Sequence, residues 1–249
     1  MTIAKFAAVV AAVGLLSACD DSVVGRLTGK KATEAGPIVE RTYTAGAFTK
    51  IALGAAADVE IRADGPPSIH ASGGQNFLDQ TEVVVENGTL RIRTKGDNMR
   101  WHSTDDKQKL HFVITGAGAI EEASIGGTGN IRIDRTSAKS FDGNIGGSGD
   151  IKVSGLAVDK ASFAIGGSGK VLALGQAQST EVDIGGSGDV DASGLAAKTA
   201  EINIAGRGDV RAQATDSAEV VIVGSGDVTI TGGAKCKVNK LGSGDVKCS

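Results

Sequence analysis

Between residues 116 and 249, apolar and polar positions alternate with period two on both sides of a recurring glycine corner. Phe163, Ile165, Val171 and Ala173 are odd-numbered, while Ser162, Ala164, Lys170 and Leu172 are even. Val182, Ile184, Val190 and Ala192 repeat the alternation one unit later, as do Ile202, Ile204, Val210 and Ala212. Such a pattern predicts two short strands per unit, each turning one face inward. The corner itself recurs seven times, from Ile125-Gly-Gly-Thr-Gly-Asn-Ile131 to Lys240-Leu-Gly-Ser-Gly-Asp-Val246. Its second glycines are Gly129, Gly149, Gly169, Gly188, Gly208, Gly226 and Gly244, separated by 20, 20, 19, 20, 18 and 18 residues. A spacing that regular is the mark of a solenoid, one supersecondary unit per coil. The glycines are expected where a side chain would not fit or where φ must be positive.

The fold class is therefore all-β: a parallel β-helix or β-solenoid with coils of 18–20 residues and an antiparallel excursion in its N-terminal part. A degraded copy of the unit lies upstream at Ile51, Leu53, Ala55, Ala57, Asp58-Val59 and Ile61, with alanines in place of glycines. The excursion covers residues 62–115, before the regular coils of 116–249. Within it Thr81–Val85, Thr89–Arg93 and Leu110–Thr115 read as strands, and Glu86-Asn87-Gly88-Thr89 as a hairpin turn. The polar run from Asp97 to Lys109 reads as a surface loop.

Composition narrows the core. The chain has 249 residues, of which 37 are glycine, and only 3% are aromatic, so Ile, Val, Leu and Ala must fill it. That suits a narrow, layered interior. The glycines do not fall at every third position, which excludes collagen. A hydrophobic share of 41% excludes a disordered chain. The net charge of -3 and the lack of a basic run argue against nucleic acid as a partner.

Residues 1–18 read as an address and not as fold: Lys5 precedes an apolar run, Phe6 to Leu16, too short to span a bilayer. Leu16-Ser17-Ala18-Cys19 resembles a bacterial lipobox, which implies cleavage before Cys19 and lipidation of its sulfur. The expected location is the cell envelope, membrane-anchored and facing the periplasm; Asp20, after the lipidated residue, does not decide which membrane. Residues 19–40 carry no hydrophobic period and read as lipidated cysteine plus flexible tether, leaving 41–249 as the domain. The other cysteines, Cys236 and Cys248, take inward positions held by Phe141 or Ala161, and by Val153 or Ala173, in earlier coils. In an oxidising compartment they are expected to form a disulfide that closes the last coil.

Candidate chemistry is sparse. Asp150, Asp189, Asp209, Asp227 and Asp245 stack at one corner, with Asp58 in line and Asn130 and Lys170 interrupting. A carboxylate ladder could hold Ca²⁺, and it is similar to the RTX calcium repeat. Here, however, Asp directly follows Gly, and each coil has one such turn. Solvated turn residues bonding local backbone N–H groups are the favoured reading. Arg207-Gly208-Asp209 spells an integrin-binding tripeptide but falls on the turn pattern of its neighbours. His70, His102 and His111 lie outside the repeat in no metal-ligand spacing, and no Gly-x-Ser-x-Gly elbow occurs. No cofactor is called for. A glycan-cleaving or Ca²⁺-dependent β-helix is the enzymatic alternative. It would draw on the loop of Trp101, His102, Asp105, Asp106 and Lys107, with Trp101 a candidate for stacking on a sugar ring.

Over Phe48 to Cys248 the chain resembles a bacterial family, the putative autotransporter adhesin head GIN domain (domain of unknown function 2807). The resemblance rests on Ile51-x-Leu53, Asp58-Val59-x-Ile61, Asn76-Phe-Leu78, Glu86-Asn-Gly-Thr-Leu90-x-Ile92, the Gly-Ser-Gly-Asp turns and the terminal cysteine pair. It implies a β-solenoid in the cell envelope and an adhesive role, and brings no catalytic residues. With neither coiled-coil stalk nor membrane barrel before Ser249, display by an autotransporter route is not expected. The leading expectation is a non-enzymatic lipoprotein binding an envelope glycan or protein.

Overall fold

The computed structural model describes residues 33–44, 46–96 and 108–249, with the backbone alone of Trp101 and His102. Cys19, its signal peptide and most of the tether lie outside the described residues, as do Asp105, Asp106, Lys107 and the Trp101 side chain. The described residues belong to one unit, Thr33–Ser249, and the repeat forms the solenoid that its spacing predicts.

Each coil begins on a first sheet, turns at the glycine corner onto a second, and crosses a short third face before rising to the next layer. On the first sheet Glu122–Ile125 pairs in parallel with Ser140–Ile145, which pairs with residues 160–165. The series continues through 179–184, 199–204 and 217–222 to Lys235–Gly242. On the second sheet Asn130–Ile133 leads through residues 151–153, 171–173, 190–192 and 210–213 to Val228–Thr231 and Val246–Cys248. The strands Ile151–Ile165, Lys170–Ile184, Asp189–Gly206 and Val210–Gly224 run around two corners as continuous strands, the first three with a glycine at the bend, Gly155, Gly175 and Gly194. Register shifts mark where they bend, as between Val153 and Leu156.

The inward positions are those the parity assigns. Ile125, Ile145, Ile165, Ile184, Ile204 and Ile222 are all buried and stack one per layer before the glycine corner. Phe141 and Phe163 fill the wider layers, with ring centroids 6.3 Å apart. Burying each such side chain contributes about 1.5–3 kcal/mol, and the repeat makes this a sum over layers.

The degraded copy holds its place: Lys50–Leu53 pairs with Glu122–Ile125, and Ala57–Arg62 with Asn130–Ile133, Val59 opposite Ile131. The segment 62–115, by contrast, is not a mere excursion between that copy and the array. Its strands Thr89–Thr94 and Leu110–Thr115 pair in parallel with Lys50–Leu53 and Ala57–Arg62 on their far side. They form one further layer, so order in the stack differs from order in the chain. Antiparallel pairing then finishes this end. Thr81–Glu86 runs back along Thr89–Thr94 through a turn with Asn87 at φ 52° and Gly88 at φ 72°, the two positive φ values that Asn-Gly favours. On the second sheet Ser68–Gly74 pairs with Leu110–Thr115, and Ile38–Tyr43 covers Ser68–Gly74.

Sequence reasoning missed the strands Ile38–Tyr43 and Ser68–Gly74, the helix Gln75–Asp79 that buries Phe77 and Leu78, and a short parallel pair, Thr33–Glu34 with Trp101–His102, the second within the run read as a loop. It also ran the tether too far. Ala35 is buried, Asn76 N–H donates to its carbonyl (3.0 Å), and Gln75 N–H donates to Pro37 (2.8 Å). Residues 33–40 thus belong to the folded unit. Ile38–Tyr43 is half-buried at best along its length and pairs on one side only, so its apolar signal is weak.

Candidate functional site

The aspartate ladder forms, and its bonds define what it does. Asp150 N–H donates to Asn130 Oδ1 (3.0 Å), and Lys170 N–H to Asp150 Oδ1 (3.0 Å). Asp209 N–H donates to Asp189 Oδ1 (3.3 Å), Asp227 N–H to Asp209 Oδ1 (3.1 Å), and Asp245 N–H to Asp227 Oδ1 (2.8 Å). At the head of the ladder Asn130 Nδ2 donates to Asp58 Oδ1 (2.6 Å). The acceptors therefore serve the next coil, 18–20 residues on, and not the local backbone as the sequence suggests.

Asn130 continues the ladder, because an amide oxygen accepts as a carboxylate does. Lysine has no acceptor, so at Lys170 the pattern breaks. Asp189 N–H turns to the Gly169 carbonyl (3.2 Å), and Lys170 Nζ pairs with Asp189 Oδ2 at 3.1 Å. Among the described residues no three His, Cys, Asp or Glu side chains are grouped to hold a metal ion. Asp227→Ala, which leaves Asp245 N–H without its acceptor, is expected to cost about 1 kcal/mol. Chemical denaturation should show the same cost with and without millimolar Ca²⁺; a calcium-dependent cost would mark a metal site.

Arg207-Gly208-Asp209 is absorbed by the same frame: Arg207 N–H donates to Gly186 O (3.0 Å) and Asp209 accepts from Asp227.

The second glycines owe their identity to close stacking. A Cβ on Gly149 would stand 1.9 Å from Gly129 O, and one on Gly169 2.0 Å from Gly149 O. These residues do not adopt left-handed φ, so space and not conformation requires glycine. In the first coil Ala55 and Ala57 are buried, and their carbonyls lie 2.7 and 2.5 Å from where a Cβ of Gly129 would fall. Beside them opens a cleft of about 360 Å³ lined by Ala57, Asp58, Phe77, Lys109, Thr128 and Asn130.

His70 and His111, the two histidines whose side chains are described, do not converge on a catalytic set. His70 Nδ1 lies 3.1 Å from Thr42 Oγ1. His111 stands opposite Asp58. Glu60 is held below the usual carboxylate range, chiefly by its hydrogen bond with Arg62 (2.7 Å) and then by the charges of Arg62, His111 and Arg132.

One feature escaped sequence reasoning. The outward positions of the first sheet align Glu122, Asp142, Ser162, Glu181, Glu201 and Glu219, one per layer. A parallel column holds Asn144, Ala164, Asp183 and Asn203. Neighbouring strands lie about 4.8 Å apart, so Glu181, Glu201 and Glu219 repel one another. Lys160 Nζ meets Glu181 at 2.6 Å and Lys237 Nζ meets Glu219 at 2.7 Å. Each hydrogen bond raises the pKa of its lysine. Glu201 lies close enough to Lys160 for its charge to add to the raised pKa of that lysine, and Asn203 Nδ2 donates to Asp183 (3.0 Å). The signal was present as the polar partner in each alternation, but unequal coil lengths hide the alignment.

Parallel coils, stacked glycine corners and polar ladders define a β-solenoid with repetitive outer faces. The chain belongs to the family described as putative auto-transporter adhesin, head GIN domain, which matches residues 47–234. The match ends before Cys236, so the terminal cysteine pair lies beyond it. No curated protein matches. Among solved structures, a putative adhesin from Bacteroides fragilis aligns with TM-score 0.80 at 23% identity, over 88% of this chain and all of its own. A putative lipid binding protein from Parabacteroides distasonis (TM-score 0.69, 22% identity) and a putative adhesin from Parabacteroides merdae (0.66, 19%) align over the same shares. At these identities the likeness establishes the fold.

Proposed function

We propose that this protein is a non-enzymatic, adhesin-like lipoprotein of the cell envelope, held at a membrane through Cys19. Its first sheet binds an extended envelope glycan or protein. The observation that carries the reading is the column Glu122, Asp142, Glu181, Glu201 and Glu219, an acidic row repeated at every layer except the one that carries Ser162. Family membership and the adhesins among its structural neighbours support it. Among the described residues no helix is long and apolar enough to cross a membrane; the proposed anchor is the lipid on Cys19.

Two substitutions test the two halves. Cys19→Ala is expected to abolish incorporation of labelled palmitate and to release the protein from the membrane fraction. Glu201→Gln relieves repulsion between stacked carboxylates, so it is expected to raise stability by about 0.3 kcal/mol. The same change should weaken capture of envelope polysaccharide or protein several-fold. Binding that is unchanged, or sugar products released on incubation, would overturn the proposed role.

A further inference from the structure

The terminal coil departs from the others in three registered ways. The outward residue after the corner isoleucine is Gly126, Gly146, Gly166 and Gly185 in the early coils, then Ala205, Val223 and Leu241 in the last three. Ala205, Val223 and Leu241 are direct neighbours across the strands, and Val223 and Leu241 are 51% and 73% exposed. Val238, at a core position with no coil beyond it, is 42% exposed. The same coil carries Lys235, Lys237, Lys240 and Lys247 with Asp245 as its one acidic side chain, on a chain whose net charge is -3; Lys237 pairs with Glu219 of the coil before, and Lys247 shares a cleft with Asp209, Asp227 and Asp245. Finally, Lys240 occupies the inward position held by Ile222 one layer earlier, and its Nζ donates to Gly244 O at 2.6 Å.

We infer that the C-terminal end of the solenoid is a docking surface for an anionic lipid membrane. Edge lysines alone have a simpler use, since they keep an open strand from pairing with another chain. That use does not call for apolar residues that enlarge step by step toward the same edge. Exposed apolar side chains in a lysine-rich coil match the interface of a bilayer, where apolar groups enter the acyl boundary and ammonium groups meet anionic headgroups. A second copy is the poorer occupant. Stacking end to end would place the Lys240 ammonium where an isoleucine continues the core, and would bring a partner strand onto a lysine-bearing edge. The surface adjoins the end of the proposed glutamate face, where Lys237 stands opposite Glu219, and it stands whether or not Cys19 carries lipid.

Hydrogen exchange of the full chain with vesicles tests this segment by segment, which matters because Phe6 to Leu16 can bind lipid on its own account. Vesicles of phosphatidylcholine with 30% phosphatidylglycerol are expected to slow exchange in 235–248, and pure phosphatidylcholine is not. Each lysine should contribute roughly fivefold to partitioning. The variant Lys235→Gln/Leu241→Ser/Lys247→Gln keeps the Lys237–Glu219 pair and the Lys240 cap, and should lose the protection while its inner coils exchange as before. Equal protection by neutral vesicles, no protection by either, or protection that grows with protein concentration without vesicles would overturn the inference; the last outcome would identify a second copy.

Discussion

Gly149→Ala is expected to destabilise the solenoid by about 3 kcal/mol or more, whereas Gly146→Ala, three residues away, should leave it unchanged or slightly stabilised. The new methyl at position 149 would stand 1.9 Å from Gly129 O and 3.0 Å from the Ile125 side chain. Neither obstacle is the free end of a flexible chain, because one is backbone and the other packs in the core. Moving coils apart by the missing ångström or more would stretch the ladder in which Ser148 N–H donates to Gly127 O (3.1 Å) and Asp150 N–H to Asn130 Oδ1 (3.0 Å). Overpacking alone costs about 1–3 kcal/mol, and backbone displacement adds to it. A Cβ at Gly146 has only Ile125 O within reach, at 3.8 Å. The protein itself carries Ala205, Val223 and Leu241 at the equivalent position, and reduced freedom of the unfolded chain can add about 0.4–1 kcal/mol there. Urea denaturation of the two variants measures the contrast; equal midpoints would refute the steric account.

Removing the Cys236–Cys248 bridge should act locally. The bridge spans 12 residues with its Cα atoms 6.6 Å apart, and closing such a loop restricts the unfolded chain by about 3 kcal/mol. The last coil has little else. Lys235–Gly242 is exposed at every residue but Cys236, and Val246 is only partly buried. What holds the coil is backbone pairing to 217–224 and 228–230 on one side. In a stack where each layer leans on its neighbours, the terminal layer frays first. Cys236→Ala/Cys248→Ala is therefore expected to lower exchange protection in 235–248 by roughly a hundredfold, with residues 140–210 unaffected. A uniform loss across all coils would show that the bridge holds the whole stack.

Legibility followed the strength of the repeat. From Ile125 onward, period-two alternation, corner spacing and the inward register of both cysteines could be read directly, because each coil restates the same steric problem. Alanines did not hide the first coil, since Ile51, Leu53, Val59 and Ile61 keep the register. The N-terminal end was less legible. Ser68–Gly74 buries only Ile69 and Ala71 beside two glycines, and those glycines are there for Lys109 O and Ala35 O, which approach within 2.8 and 2.5 Å of their missing Cβ positions. Non-local contacts of that kind leave no periodic trace.

The same division separates what the chain announces from what the fold decides. By itself the sequence determined a β-solenoid, its layer spacing, its inward face and the pairing of its last two cysteines, because period and parity are properties of the chain alone. Only the tertiary structure decided that Thr89–Thr94 and Leu110–Thr115 supply a layer beneath the first coil. It alone showed that Asp150, Asp189, Asp209 and Asp227 each accept from the coil that follows, and that five acidic side chains line up on one outer face. Those facts depend on which strands lie side by side and in what register. Coils of 18, 19 and 20 residues bring different sequence separations into contact, so stacking, and not spacing, sets the outer surface.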